Sequence, residues 1–505
     1  MNLGRRGRLT NEQGSVGWVH SVKSLGPGEF MINAQCYYDG QWHEGRRGHR
    51  FSVENPATNA TIGSAVAADV EDLDLVIQSA VRAGPSWADS PPEGRGRLLQ
   101  ATYEAIMENQ EDLARLLTTE EGKSLAEARS EISYGARFFE YYAGESVRIL
   151  GDTMPSPSGS RSIWTVKVPI GVSAVITPWN YPFAMICRKM APALAAGCTV
   201  VVKPAEQTPL IADQLFRVLE AVDLPPGTVN FITGDPEVIG TALVEDSRIR
   251  KVSFTGSTAV GRLILRNAAA NITSVSLELG GNAPFIIFDD ASVEDVVNGI
   301  LSCKFRNAGQ ICVATNRIYV QRAVAAAVQD RLSEAVQRLR VGDGLDDGVQ
   351  MGPLINREAV EKVAQHVADA VQRGATVAVG GMAREGSGSF YLPTVITGVQ
   401  DTMQVAQEET FGPVAPLLIF DTEQEVYVRA NQTPYGLAAY VYTRDLGRAM
   451  RASRALEFGM VGINDPVPSL VEAPIGGLKA SGLGREGGHE GVLEFLETKY
   501  VSTRF

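Results

Sequence analysis

The chain has 505 residues, a formal net charge of −12 at pH 7, and hydrophobic and charged fractions of 44% and 21%. This length is sufficient for two or three domains with full cores, and the composition is ordinary for a globular protein. The negative charge argues against nucleic acid as the main partner, and no apolar run reaches the length needed to span a membrane. The five cysteines are irregularly spaced and form no Cys-x-x-Cys pair, so we expect a reducing compartment, most simply the cytoplasm.

Residues 1–30 differ from the rest of the chain because they contain six glycines and four basic residues. They lack the apolar segment of a secretory signal and the amphipathic pattern of a transit peptide. We therefore predict a disordered N-terminal extension, with Met31 as an alternative start of the protein.

The first part of the remaining chain begins with short strands and turns over residues 31–66. Apolar residues then recur at helical spacing, which predicts helices over 70–84, 94–119 and 122–149. A stretch rich in Pro, Ser and Gly follows, and we predict a projecting hairpin over 148–167.

From residue 171 onward, short apolar runs alternate with helical patterns, which predicts an α/β architecture with parallel sheets. The candidate strands are 171–176, 199–203, 228–232, 251–255, 274–279, 284–288, 317–321, 414–420 and 437–443. The tail over 499–503 is typical of an edge strand, and the double glycine at 280–281 suits a hinge between domains.

Cys312 is the candidate centre of the chemistry. It follows Gly309-Gln310-Ile311 and precedes small residues, so the chain can turn tightly and bring backbone N–H groups to a reacting atom. An arbitrary cysteine usually packs as a small hydrophobe. Here, however, Glu278 precedes a double glycine and Asn180 lies on a turn after an apolar run. A thiol nucleophile, a carboxylate base and an amide donor are the parts of an acyl-transfer site.

Six motifs occur in the order found in the aldehyde dehydrogenase superfamily, which the chain resembles from about residue 37 to residue 500. They are Pro178-Trp179-Asn180, Lys203-Pro204-Ala205-Glu206, Phe254-Thr255-Gly256-Ser257, Glu278-Leu279-Gly280-Gly281, Gly309-Gln310-Ile311-Cys312 and Glu409-Thr410-Phe411-Gly412-Pro413. The chain resembles the succinate-semialdehyde dehydrogenases in particular, through Cys187-Arg188-Lys189, Phe305-Arg306-Asn307 and the segment 481–487.

The resemblance implies an α/β fold with a Rossmann-like cofactor domain, an α/β catalytic domain and a small β oligomerisation element. We assign residues 31–147 and 168–280 to the NAD-binding domain and 281–486 to the catalytic domain. Residues 148–167 and 487–505 form the expected oligomerisation element, and the expected assembly is a homodimer or homotetramer.

The resemblance implies NAD as the cofactor, with NADP as the alternative. The turn from Gly256 to Gly261 lacks the Lys-Ser/Thr pair of a P-loop, but a glycine turn at a helix N-terminus can hold a pyrophosphate, and Ser257 is the implied contact. Lys203 and Glu206 are the implied adenosine-ribose contacts, and the Glu206 carboxylate would repel a 2′-phosphate, which favours NAD. For the glycine turn the alternative is a simple helix start. For Lys203 and Glu206 the alternative is a surface ion pair.

Glu409 and Phe411 are similar to the family's nicotinamide-ribose contacts, and Thr177, Pro178 and Trp179 complete the expected cofactor site. Core packing for Phe411 and a helix cap for Glu409 are the alternatives.

The substrate residues are expected to be Arg188, Arg306 and Ser469, which the resemblance assigns to the substrate's distal carboxylate. An arginine near a dry site is costly unless it is paired, and its fork matches a carboxylate bidentately. A structural salt bridge is the alternative for each arginine. Succinic semialdehyde is the leading substrate, and glutaric semialdehyde or a sulfonated aldehyde would use the same arginines.

The implied mechanism begins with attack of the Cys312 thiolate on the aldehyde, which requires the thiol pKa to fall from about 8.5. The Asn180 side chain and the Cys312 N–H would hold the oxyanion, and Glu278 would activate water to hydrolyse the thioester. Transfer to coenzyme A, phosphate-specific glyceraldehyde chemistry and a catalytically silent relative are the alternatives.

Ala314 replaces the second cysteine of some relatives, and the five scattered histidines predict no metal.

Overall fold

The computed structural model describes residues 31–157 and 159–504, so the predicted N-terminal extension over 1–30 lies outside the described residues. The strands in chain order are β1 (Ile32–Ala34), β2 (Cys36–Tyr38), β3 (Gln41–His43), β4 (Arg50–Glu54), β5 (Thr61–Val66), β6 (Thr153–Met154), β7 (Arg161–Pro169), β8 (Val172–Ile176), β9 (Val200–Lys203), β10 (Val229–Phe231), β11 (Ile249–Thr255), β12 (Ser274–Glu278), β13 (Ala283–Ile287), β14 (Thr315–Gln321), β15 (Thr376–Val379), β16 (Thr394–Thr397), β17 (Val414–Phe420), β18 (Ala438–Tyr442), β19 (Met460–Ile463), β20 (Gly482–Leu483) and β21 (Leu496–Arg504).

The α-helices in chain order are α1 (Val70–Ala88), α2 (Pro92–Glu108), α3 (Gln110–Glu121), α4 (Leu125–Glu145), α5 (Pro182–Ala196), α6 (Pro209–Glu220), α7 (Pro236–Glu245), α8 (Thr258–Ala268), α9 (Val293–Ile300), α10 (Ala325–Gln337), α11 (Arg357–Gln372), α12 (Gln404–Gln407), α13 (Glu423–Asn431), α14 (Leu446–Ala455) and α15 (Gly488–Leu493). Within the described part of the chain, no helix is long and apolar enough to cross a membrane.

Two large sheets carry the fold. The first has eight strands in the order β20-β12-β11-β8-β9-β10-β2-β3, with β12 to β10 parallel and the outer strands antiparallel. The second has seven strands in the order β15-β16-β17-β14-β13-β18-β19, and only the β15–β16 pair is antiparallel. Separate buried clusters of apolar side chains pack against these sheets. The predicted parallel α/β architecture is confirmed.

All nine candidate strands are present, each within two residues of the expected bounds. The sequence patterns did not reveal β15, β16 and β19. Each has only four residues, and β15 and β19 lie at the edges of the second sheet. Four residues are too few for period-2 alternation to stand out.

The predicted helix over 94–119 is two helices, because the backbone at Asn109 leaves the helical region between α2 and α3. The next predicted helix begins at Leu125 rather than at residue 122, since Gly122 ends α3 in a left-handed conformation. Ser124 and Glu127 then form a capping box that starts α4.

The predicted hairpin is confirmed by the antiparallel pair of β6 and β7. β21 pairs with β7 from Leu496 opposite Pro169 to Arg504 opposite Arg161, and β21 is the edge strand of this third sheet. Whether this sheet joins subunits stays a prediction, as do the domain boundaries.

The double glycine lies between the two large sheets. β12 ends at Glu278 in the first sheet and β13 begins at Ala283 in the second. The short β20 returns to pair with β12, so the chain crosses between the sheets again near its end. Residues from both sheets are thereby brought to one crevice.

Candidate active site

A cavity of about 310 Å³ lies in this crevice, next to the end of β12 and the segment before β14. Most of the residues singled out in the sequence line it. They are Pro178, Trp179, Asn180, Arg188, Gly256, Ser257, Glu278, Arg306, Cys312, Glu409, Phe411 and Ser469. Thr177, Lys203 and Glu206 do not line this cavity.

The loop before Cys312 has an unusual backbone. Asn307, Ala308 and Gly309 are consecutive left-handed residues, with φ of 49°, 53° and 76°. A Cβ at Gly309 would lie 2.2 Å from the carbonyl oxygen of Gly412, so only glycine fits there. Such strain persists only where the surroundings over-determine the conformation. The Cys312 residue at the end of this loop is partly exposed.

Asn307 is the main anchor of the loop. Its backbone N–H donates to Glu127 at 2.8 Å, and its side-chain amide donates to Glu121 at 2.8 Å. The same amide donates to the carbonyl oxygen of Asn180 at 3.0 Å, and the Lys123 ammonium donates to that oxygen at 2.8 Å. The segment joining α3 to α4 therefore fixes both the cysteine loop and Asn180.

The Asn180 side chain faces the same loop. Its amide nitrogen donates to the carbonyl oxygen of Gln310 at 2.8 Å. Since a primary amide nitrogen carries two hydrogens, one donor is left over beside the candidate nucleophile.

Lys123 is part of a fully buried charge cluster. Its ammonium contacts Glu131 at 2.5 Å and Glu121 at 3.7 Å. Burial alone would lower the pKa of Lys123, but the two carboxylates outweigh it and raise the pKa. Glu131 also accepts hydrogen bonds from the N–H groups of Phe183 and Ala184 at the start of α5. The cluster thus links α4 and α5 to the site.

A second buried charge cluster lies directly beside Cys312. The Arg188 Nε is 2.6 Å from Glu486, and its Nη2 is 3.9 Å from Glu278. Lys189 contacts the other oxygen of Glu486. The 2.6 Å contact lacks hydrogen-bond angles, and the 3.9 Å contact is too long for a hydrogen bond. Nε and Nη2 of Arg188 and both Glu278 oxygens therefore have no hydrogen-bond partner among residues 31–157 and 159–504. Buried groups left in this way are candidates for binding a ligand or for catalysis.

The pKa of the Cys312 thiol is raised well above its ordinary value, first by burial and then by the negative charge of Glu278. Arg188 opposes this rise without cancelling it. The expectation that the thiol pKa falls is therefore wrong for this arrangement, because burial and the negative charge of Glu278 together outweigh Arg188. Burial also raises the pKa of Glu278. A carboxyl group with a raised pKa is a better acceptor for the thiol proton.

Glu409 and Phe411 line the cavity, and Glu409 contacts the double glycine. A Glu409 oxygen accepts the Gly281 N–H at 3.1 Å, and burial raises the pKa of Glu409 to about 7. Phe411 has a left-handed φ of 54° and packs edge-to-face on Trp179, with ring centroids 5.6 Å apart. These rings and the carboxylate form one end of the cavity.

The remaining candidate cofactor residues follow strands of the first sheet. Ser257 caps α8 by accepting the Val260 N–H at 3.3 Å, which confirms that the glycine turn opens a helix. The buried Lys203 ammonium donates to the Pro204 carbonyl oxygen at 3.1 Å. No ion pair within 4.0 Å joins Lys203 to Glu206 in the described ranges, so the ion-pair alternative for these two residues is not observed.

Other residues of the cavity were given no role in the site from the sequence. They are Tyr134, Tyr181, Met185, Thr255, Gly280, Ile311, Val313, Lys362 and Ile475. Tyr134 and Met185 lie on long helices whose periodicity shows a buried face without showing what that face contacts. Gly280, Ile311 and Thr255 lie within recognised motifs, which is the only sign that sequence could give of them.

The model of the aldehyde dehydrogenase family matches residues 42–501, and the chain belongs to this family. It is 48% identical to a succinate-semialdehyde dehydrogenase [NADP(+)] of Escherichia coli (strain K12), covering 93% of this chain and 98% of the relative. A 3-sulfolactaldehyde dehydrogenase of Pseudomonas putida is 47% identical, covering 93% and 97% of the two chains. A glutarate-semialdehyde dehydrogenase of P. putida is also 47% identical, covering 93% and 98%.

The fold agrees with a crystal structure of an NADP-dependent enzyme of E. coli, with a TM-score of 0.93 and 47% identity. The alignment covers 94% of this chain and 98% of that one. The fold class expected from the sequence is confirmed.

Replacement of Lys123 by Met should strongly destabilise the protein, because it leaves the buried Glu121 and Glu131 carboxylates without their cation. Breaking a buried pair costs about 3–5 kcal/mol, which for a chain of this length corresponds to a Tm lower by about 3–5 °C. The matched control is Arg322→Met, which breaks an exposed ion pair with Asp421 and should change the Tm little. Equal, small shifts for both variants in a thermal melt would contradict the role given to the cluster.

Replacement of Glu278 by Gln should make the Cys312 thiol ionise at lower pH, because it removes the negative charge that helps to raise the thiol pKa. The rate of alkylation by iodoacetamide, followed against pH, should therefore rise at lower pH than in the wild type. Glu140→Gln, an exposed position on α4, is the matched control and should leave the profile unchanged. If the alkylation rate of Glu278→Gln rises at the same pH as in the wild type, or at a higher pH, the carboxylate does not act on the thiol.

Proposed function

We propose that this protein oxidises a small aldehyde with an anionic tail to the corresponding acid, using a nicotinamide cofactor, and that succinic semialdehyde is the leading substrate. The observation that carries the proposal is that Arg306 is buried beside the cavity without a hydrogen-bond partner for its Nε among the described residues. This side chain lines the cavity near Cys312, and its Nε is buried without a hydrogen-bond partner in the described part of the chain. Its guanidinium forms no ion pair within 4.0 Å among the described residues, and the carboxylate that acts on it from further away is Glu127.

The charges around the nucleophile support a singly charged tail. Arg188 and Lys189 are balanced by Glu278 and Glu486, with which they form ion pairs. Arg306 forms no such ion pair among the described residues, and Glu127 acts on it only at longer range. A buried unpaired guanidinium is costly, and an anion that arrives with the substrate would relieve that cost.

Arg188 differs from Arg306 in this respect. It already contacts two carboxylates, so a substrate anion would share it with Glu486 and Glu278. We therefore assign the main recognition of the tail to Arg306, and to Arg188 a double role in the tail site and in holding Glu278. Ser469, which also lines the cavity, offers a neutral hydroxyl to the same tail.

The chemistry follows from the positions of the side chains. Glu278 accepts the proton of the Cys312 thiol, and the sulfur attacks the aldehyde carbon to form a thiohemiacetal. The free N–H of the Asn180 amide and the Cys312 backbone N–H stabilise the oxyanion, a contribution of about 3 kcal/mol for one donor. NAD(P) supplies the hydride acceptor. Loss of the hydride converts the thiohemiacetal to a thioester, and Glu278 gives the thiol proton up to solvent. Glu278 then activates a water molecule, which hydrolyses the thioester on Cys312 and releases the acid.

The residues present fit such a cofactor. The N-terminus of α8, capped by Ser257, suits a pyrophosphate, and the buried Glu409 carboxylate suits ribose hydroxyls. Trp179 and Phe411 offer an aromatic wall beside it. Glu206 follows β9, where an acidic side chain favours a ribose 2′-hydroxyl over a 2′-phosphate. On this ground we propose NAD as the preferred cofactor, although the E. coli relative is named as an NADP(+) enzyme.

Glutaric semialdehyde and a sulfonated aldehyde are the alternative substrates. Relatives at 47% identity are named for glutarate semialdehyde and for 3-sulfolactaldehyde, and both molecules carry an anionic tail for Arg306. A silent role is disfavoured, because a partly exposed Cys312 lies beside a buried carboxylate and a spare amide donor.

The assembly is proposed to be a homodimer or homotetramer. The outer side of β21 has no partner strand among the described residues, and Leu263 and Leu265 of α8 are exposed apolar side chains. All five cysteines are free, which fits the reducing conditions of the cytoplasm.

Replacement of Arg306 by Ala should lower kcat/KM for succinic semialdehyde by about 10- to 150-fold, which is the loss of one charge-assisted hydrogen bond. Butanal has the same carbon count and no carboxylate, so its kcat/KM should change little. Arg188→Ala should lower both, because Arg188 also contacts Glu278. Equal losses of both substrates in Arg306→Ala would contradict anion recognition, and a wild type that prefers butanal would contradict the proposed function.

Replacement of Glu206 by Ser should narrow the preference for NAD over NADP, since it removes the charge that repels a 2′-phosphate. Steady-state kcat/KM with each cofactor at saturating aldehyde measures the ratio. Glu237→Ser, at an exposed acidic residue in the first turn of α7, is the matched control and should leave the ratio unchanged. A wild type that favours NADP would show the assignment of Glu206 to be wrong.

A further inference from the structure

Tyr134 has a buried hydroxyl that lacks a hydrogen-bond partner among the described residues. The residue lies on α4 and lines the cavity, and its Oη has no hydrogen-bond partner among the described residues. The ring is held by an edge-to-face contact with Phe138, with centroids 5.1 Å apart. The hydroxyl is therefore fixed in place before any ligand binds.

None of the charged groups that act on this hydroxyl accepts a hydrogen bond from it among the described residues. Arg188 and Arg306 lie close enough for their positive charges to act on it, and a guanidinium has donors only. Glu486 also acts on it through its charge, but does not form a hydrogen bond with it. Burial raises the pKa of Tyr134, and the arginines do not cancel the rise, so the hydroxyl keeps its proton at neutral pH.

This buried O–H group lies near two cations and has no acceptor among the described residues, and an oxygen that carries negative charge would suit both the hydroxyl and the cations. The distal oxyanion of the substrate, as a carboxylate or a sulfonate, has this chemistry. Resting on the proposed function, we propose that Tyr134 is a substrate-binding residue that determines specificity, with its hydroxyl donating a hydrogen bond to the oxyanion tail.

The hydrogen bond from Tyr134 would be directional, whereas the attraction of the arginines for a negative charge is not. Arg306 attracts any anion. A fixed phenol hydroxyl forms its hydrogen bond only with an oxygen that lies at one particular distance from the aldehyde carbon. Because α4, α5 and the segment around Arg306 each supply one of these groups, the tail would be held from three elements. Tyr134 would then select among anionic aldehydes as well as against neutral ones.

The test is the single-atom variant Tyr134→Phe, which keeps the ring and removes the hydroxyl. Its kcat/KM for succinic semialdehyde should fall by about 10- to 100-fold, the range expected for a hydrogen bond to a charged group. Its kcat/KM for butanal should be unchanged within about twofold. Tyr141→Phe, on the same helix but outside the cavity, is the matched control and should alter neither value.

The possible outcomes separate the inference from the proposed function. The inference is wrong if Tyr134→Phe lowers kcat/KM equally for both aldehydes, or for neither, while Arg306→Ala lowers it only for the anionic aldehyde. Tyr134 is then a structural residue. If the wild type does not prefer the anionic aldehyde, the proposed function fails, and the inference that rests on it fails too. Thermal melts of each variant show whether a loss of activity reflects a loss of folding.

Discussion

The burial of charge beside a reactive thiol is the constraint on which the site depends. Glu278 must be close to Cys312 to accept a proton, yet an isolated buried carboxylate would simply become protonated. Arg188, positioned between Glu278 and Glu486, offsets that cost, and Lys189 completes the balance. The pKa values of Cys312 and Glu278 are both raised, so proton transfer between them is a transfer between two groups disfavoured as anions.

The fold brings these groups together by joining two sheets at one point. Glu278 ends β12 of the first sheet, and Cys312 lies just before β14 of the second. The glycine at 281 allows this approach, because a Cβ there would lie 2.5 Å from the Cys312 carbonyl oxygen. The Lys123 cluster then fixes Asn180 and the loop before the cysteine from the helical layer. Two buried charge clusters thus fix the positions of the proposed nucleophile, base and amide donor.

Much of this arrangement could be predicted from the sequence. Apolar runs alternating with helical patterns are a local signal, and they located the central strands of both sheets. Short motifs located Cys312, Glu278 and Asn180, because the turn chemistry that places such residues needs glycine and proline nearby. Four-residue edge strands such as β15 carry too little pattern to be found in this way.

What the sequence could not reveal depends on long-range partners. Arg188 and Arg306 look equivalent as isolated arginines in apolar segments, and only the position of Glu486 separates a paired side chain from an unpaired one. The raised pKa of Cys312 likewise follows from burial and from Glu278, which is 34 positions earlier in the chain. Tyr134 is indistinguishable by periodicity from the core aromatic residues of the same helix.

The central claim is that Glu278 serves a thiol whose acyl intermediate carries an anionic tail held by Arg306. The most direct measurement is the intact mass of Glu278→Gln after a short incubation with NAD and succinic semialdehyde at alkaline pH, where the thiol ionises without its base. The account predicts one succinyl group per chain, on Cys312, and its absence from a Glu278→Gln/Cys312→Ala variant. A folded Glu278→Gln protein that turns over at the wild-type rate, or that forms no adduct, would contradict it.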